Sequence, residues 1–196
     1  MLAARFLLRL VALYALLIVP WPGWADAYAR GYRAAGDWLF GDFGGDGIVR
    51  FEPPERRKEQ VDTQITIGNR RTRGKPQTAD HSARLTGYLP TALFVALVLA
   101  TPVAWRRRLL SLAVGLALVH ALVALRVCVA LLYGFSQPTA VALFAPGPFW
   151  AAALRHTFQI VTVWVSFAFV APLFIWALVT LRRSDFERWL RPRQAA

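Results

Sequence analysis

LLSLAVGLALVHALVALRVCVALLY, residues 109–133, decides how the rest of this chain is read. Ser111, His120, Arg126 and Cys128 are the polar or reactive side chains within an otherwise apolar run. At ~1.5 Å rise per residue, a helix of this length exceeds the ~30 Å hydrocarbon core of a bilayer. Three further apolar runs flank it. Residues 88–105 carry Pro90 in the first turn and Pro102 at the exit, where a proline costs little. Residues 157–181 carry Pro172 inside the run, which predicts a kink. Residues 2–20 are interrupted by Arg5 and Arg9 and end in Pro20-Trp21-Pro22-Gly23-Trp24, which stops a helix and supplies interfacial aromatics. None of the four contains Asp or Glu.

The whole chain agrees with this reading. Its 196 residues are 57% hydrophobic and 17% charged, with mean hydropathy +0.41, which excludes a soluble globular domain and a disordered one. The formal charge of +12 would suggest nucleic acid, but the arginines sit beside the apolar runs, so no nucleic-acid partner is expected. The single cysteine, Cys128, cannot form an internal disulfide and supports no multi-cysteine metal motif.

The expected fold is mainly α: a four-helix polytopic membrane protein with a small extracytoplasmic α+β segment between the first and second spans. Residues 1–22 are the first span, 23–87 the outer segment, 88–181 the remaining three spans and 182–196 a basic cytoplasmic tail. Basic residues resist translocation near span ends. With the N-terminus inside, ten arginines lie on the cytoplasmic side: Arg5, Arg9, Arg106, Arg107, Arg108, Arg182, Arg183, Arg188, Arg191 and Arg193. Only Arg155 then lies in the short outer loop before the fourth span. This predicts a bacterial inner-membrane protein with both termini cytoplasmic. Arg5 and Arg9, the apolar stretch after them and Ala25-Asp26-Ala27 also resemble a signal peptide with a small-residue cleavage site, and the bulky Trp21 and Trp24 favour retention as an anchor.

Residues 23–87 are the one stretch polar enough to fold in water. Trp24, Tyr28, Tyr32, Ala35 and Leu39 recur at helical spacing, predicting a helix over residues 24–40 that lies on the membrane surface or packs on the small segment itself. The glycine-rich run 41–47 reads as a turn. Asp42 and Asp46 are too few carboxylates for an EF-hand. Residues 47–51 and 61–67 read as two strands, the second with Val61, Thr63, Ile65 and Ile67 on one face and Asp62, Gln64 and Thr66 on the other. Arg70, Arg71, Arg73 and Lys75 close the segment as a solvated loop or as a contact for anionic headgroups or an acidic partner. Asp80-His81-Ser82 has the letters of a hydrolase triad, but adjacent residues cannot adopt its geometry.

Ionisable groups at membrane depth carry a functional hypothesis. His120 falls at mid-membrane and Arg126 toward the outer face. No span holds a carboxylate, so Arg126 would take a lipid phosphate, the outer segment or a partner's acid as counter-charge, while carbonyls or Gln159 would accept its hydrogen bonds. Arg126, His120, Arg70, Arg71 and Arg73 are therefore the candidate partner or lipid contacts. Ser111, Gly115, Ala117 and Ala121 would let the third span approach a neighbour closely. A cysteine-peptidase reading would use Cys128 with His156 and Arg155. On one helix, however, Arg126 and Cys128 point ~160° apart and His120 lies ~12 Å from Cys128, so no pair on that span cooperates directly. Two histidines give no haem site, and no cofactor or metal is expected.

Several strings carry a resemblance: Gly87-Tyr88-Leu89-Pro90-Thr91-Ala92-Leu93, Ala100-Thr101-Pro102, Arg106-Arg107-Arg108, Tyr133-Gly134-Phe135-Ser136, and Phe174-Ile175-Trp176-Ala177-Leu178-Val179-Thr180 before Arg182-Arg183. Together they resemble small bacterial membrane proteins described as exosortase H-associated. The resemblance implies a non-catalytic accessory or scaffold role in a bacterial envelope complex, beside an exosortase that processes surface proteins bearing a C-terminal sorting signal. Its partners would be membrane lipids and another membrane protein, the exosortase. The alternative is a membrane cysteine transpeptidase or peptidase. Exosortases follow their cysteine with Ser-Gly, whereas Cys128 is followed by Val129-Ala130.

Overall fold

A computed structural model describes residues 2–19, 23–55, 60–72 and 74–181. Arg73, the Pro20-Trp21-Pro22 stop and the basic tail expected from residue 182 lie outside these. The described chain is mainly helical with one small sheet: α1 (Leu2–Ile18), α2 (Trp24–Phe40), β1 (Gly47–Glu52), β2 (Thr63–Asn69), β3 (Gln77–His81), α3 (Leu89–Ala100), α4 (Trp105–Ser136), α5 (Pro148–Phe158) and α6 (Val165–Thr180). Two π-helical turns complete it, Arg84–Tyr88 running into α3 and Gln159–Val163 following α5.

The helix α4 is long and apolar enough to cross a membrane by itself. Residues 148–163 and 166–180 qualify only as a pair, bent by 79° at their junction. The bend falls at Trp164, whose φ −72° and ψ 105° are extended, while Pro172 lies buried inside a continuous α6. Proline is tolerated there because packing shields the carbonyl it frees.

One end of the bundle is held by side-chain bonds to helix ends. Phe6 of α1 stacks on Trp176 of α6 at 5.9 Å, and the Trp176 indole N–H donates to Thr101 Oγ1 at 2.9 Å, just past α3. At the start of α4, Arg107 donates to the Thr180 carbonyl, Arg108 to the Thr101 carbonyl and Ser111 to the Val179 carbonyl. These donors satisfy carbonyls that a helix C-terminus leaves open. Mid-bundle, Gly115 lets α4 close on α3, since a Cβ there would lie 1.9 Å from the Phe94 ring. Of the small residues expected to admit a neighbour, Ser111 and Gly115 do so within the chain, whereas Ala117 and Ala121 are exposed.

The opposite half of α4 carries the sheet. The strands run antiparallel in the order β1-β2-β3, with Val49 opposite Ile67, Phe51 opposite Ile65, Ile65 opposite Ala79 and Thr63 opposite His81. This register puts Val49, Phe51, Ile65 and Ile67 on one face, where they pack with Val127, Leu131 and Phe135 of α4. Gln64 and Thr66 face outward, bonding Asp80 and Thr78 across the strands. The expected period-two alternation of β2 is therefore what the packing uses. The third strand, β3, is not among the two strands read from the sequence.

The helix over residues 24–40 forms as expected and lies on β1. Asp37 accepts the Phe51 N–H at 2.8 Å, Gly41 O accepts the Val49 N–H at 3.2 Å, and Gly36 has no room for a Cβ against the Phe51 ring. The edge of β1 is thereby covered. Trp38 remains 84% exposed on the far face.

Candidate functional site

The candidate site forms where the sheet, α4 and both π-helical turns meet. Trp164 N–H closes the second turn on Gln159 O at 3.0 Å, and the chain then breaks, so the carbonyls just before the break lose their helical donors. Arg126, only 7% exposed, supplies them. Its Nε donates to Val161 O at 2.8 Å and its Nη atoms to Thr162 O and Thr86 O at 3.4 Å each. One guanidinium thus ties both π-helical turns to α4. All three acceptors are neutral carbonyls, and Arg126 has no ion pair among the described residues.

Beside Arg126 lies a cleft of about 540 Å³. One wall is the inner face and outer edge of the sheet, including Ile65, Ala79 and His81. The floor is α4, from Arg126 and Val127 to Gly134, and the far wall is Phe158, Thr162 and Ala168. Its lining is mostly apolar with polar residues that include Gln77, Thr78, Asp80, His81, Arg126 and Thr162, the usual character of a ligand site. The Thr162 hydroxyl in that lining has no hydrogen-bond partner among the described residues.

His81 also lines the cleft. Its Nε2 is 2.9 Å from the Tyr32 hydroxyl and the two rings lie nearly parallel, 14° apart. Desolvation pushes His81 down to about 4, against a partial upward pull from Asp62, so the ring is neutral at pH 7. Desolvation likewise raises Tyr32, and Tyr28 rises to about 12. Asp62 anchors this corner to the bundle. Its carboxylate accepts the Ala83 N–H at 2.8 Å, the Arg84 N–H at 3.0 Å and the Thr63 hydroxyl at 3.0 Å. Its carbonyl takes Arg33 at 2.7 Å. A carboxylate on the first N–H groups of a helix is an N-cap supplied from a neighbouring strand.

The residues singled out in sequence fall in several places. Arg126 is at the centre of the junction, its hydrogen bonds made within the chain. His120 is exposed on α4 with Nδ1 2.8 Å from Leu116 O, and it borders a groove of about 450 Å³ between α2 and α4. Arg70 bonds Asp42 and Gly45 O, and Arg71 pairs with Asp46, so both clamp the glycine-rich turn where Gly44 and Gly45 adopt φ +63° and +80°. Such exposed pairs contribute little stability. Cys128 is half-buried, has no hydrogen-bond partner among the described residues and does not line the cleft. Arg155 and His156 are exposed on α5 and do not line it either. No hydrogen bond joins Cys128 to either of them. Sequence reasoning missed His81, Asp62 and Thr86. The weak signal was the alternation Gln77, Ala79, His81, which continues the inner face of a sheet.

Fold and site together define a mainly helical protein in which a small α+β cap is riveted to a long apolar helix around a buried arginine. The chain belongs to the exosortase H-associated membrane protein family, whose model matches residues 2–183. No curated protein and no solved structure matches it.

Proposed function

We propose that this chain is a non-catalytic accessory or scaffold of a bacterial envelope complex, acting beside an exosortase in surface-protein sorting. The observation that carries this reading is the family match over residues 2–183. The positioning bonds from Arg126 to backbone carbonyls of both π-helical turns support a scaffold role. We further propose that α1, α3, α4 and the bent α5–α6 pair are four spans, with residues 23–87 outside and both termini cytoplasmic. The gathering of Phe6, Thr101, Arg107, Arg108 and Thr180 at one end supports this, since alternating spans bring the termini to one face.

Co-purification with the exosortase in mild detergent tests the role. The expected result is a stable complex, with surface-protein maturation lost on deletion and restored by a Cys128→Ala variant. Failure of that variant to restore maturation, despite wild-type abundance, would transfer the reading to the cysteine-peptidase class. Reporter fusions that put the two termini on opposite faces would overturn the topology.

A further inference from the structure

We infer that the cleft beside β3 is a strand-addition site for an extended peptide segment that carries an acidic side chain facing the cleft. The inference goes beyond the accessory role and does not depend on an exosortase. It begins with the sheet edges. The edge of β1 is closed by Asp37 and Gly41 of the α2 end, whereas β3 has a strand on one side only among the described residues, and its residues Gln77 to Asp80 are exposed. Such an edge is a template for another chain.

The cleft opens where the sheet stops. Inward-facing Ile65 and Ala79 form its wall and Leu131 belongs to its floor, so a fourth strand beside β3 would lay alternate side chains on the same apolar surface that β1 and β2 already cover. An acyl chain in this position would strip water from the edge amides and offer no hydrogen bonds in return, whereas an extended backbone satisfies them. Arg126 selects charge. Arg126 lines the cleft with no carboxylate partner among the described residues, and the Thr162 hydroxyl nearby is buried and unpartnered. Asp80 also borders the cleft, but its carboxylate is engaged by Gln64 at 3.2 Å on the other face of the strand. A carboxylate on the incoming strand therefore meets a cation at the cleft floor.

The test uses the full chain in lipid nanodiscs and two fluorescein-labelled peptides, Val-Thr-Val-Thr-Val-Thr-Glu and Glu-Thr-Val-Thr-Val-Thr-Val, which cover both strand directions. At least one is expected to bind saturably and to slow amide exchange in β3. Replacing its Glu by Lys should weaken binding about tenfold or more. N-methylating one alternate set of its amides should abolish binding, while methylating the other set is tolerated. Ala79→Trp, which fills the cleft from an exposed strand position, should abolish binding while far-UV circular dichroism stays unchanged. Four results overturn the proposal: no saturable binding of either peptide, equal effects of the two N-methyl sets, equal binding of the Glu and Lys forms, or a cleft held by a co-purified lipid or a second copy that neither peptide displaces. Each leaves the accessory role standing, because that role is read from complex formation instead.

Discussion

Arg126→Met removes the one side chain that ties α4 to both π-helical turns, and its effect can be worked from the geometry. The 2.8 Å bond to Val161 O is a full charge-assisted hydrogen bond, worth ~1.5–3 kcal/mol, while two at 3.4 Å add ~0.5 each. Burying a methionine instead of a guanidinium recovers part of this, because the desolvation cost of the charge disappears. The net loss expected is about 2 kcal/mol, or a fall in Tm of ~4–8 °C for a chain of this size. The assay is thermal unfolding of the full chain in nanodiscs, paired with amide exchange. Exchange should accelerate at residues 159–166 and 84–89 and stay unchanged in β1 and β2. Arg126→Lys cannot span all three carbonyls and should recover only part of the loss. Wild-type stability with unaltered exchange at both turns would refute the view that Arg126 holds the junction together.

Three other consequences follow from the same structure. Asp62→Ala removes the cap on the Ala83 and Arg84 N–H groups and should destabilise the fold by ~1–2 kcal/mol, with Asp62→Asn recovering part of it, as denaturant titration would show. His81, held down to about 4 in the folded state against an ordinary 6.5, binds fewer protons than the unfolded chain does between those values. Stability should therefore be full above pH 6.5, decline as pH falls toward 4 by up to ~3 kcal/mol, and decline less in His81→Gln. Gly115→Ala drives a Cβ into the fully buried Phe94 ring and should cost ~1–3 kcal/mol, whereas Gly31→Ala, where nothing lies within 4 Å, should be neutral or slightly stabilising. Equal Tm values for the two variants would contradict the packing described.

How much the residues announce in advance differs from element to element. The α4 run, the helix over residues 24–40 and the alternation of β2 are legible because each repeats a local period, 3.6 or 2, that burial then rewards. Local composition also places the apolar runs, since the cost of charge in a bilayer is a property of each residue. The bend at Trp164 is not legible in this way. Pro172 is the stronger local breaker, but it sits buried in α6, while the break at Trp164 is stabilised by a guanidinium 35 residues from the Val161 carbonyl it binds. The same holds for β3, whose polar residues become a strand only because β2 offers its edge, and for His81, whose displaced titration comes from its loss of water on burial. Arg126 is conspicuous in sequence as a lone charge in an apolar run. Only the fold reveals that two π-helical turns bring carbonyls to it, because hydrogen-bond satisfaction of a buried charge is a pairwise, long-range condition that no window of neighbouring residues contains.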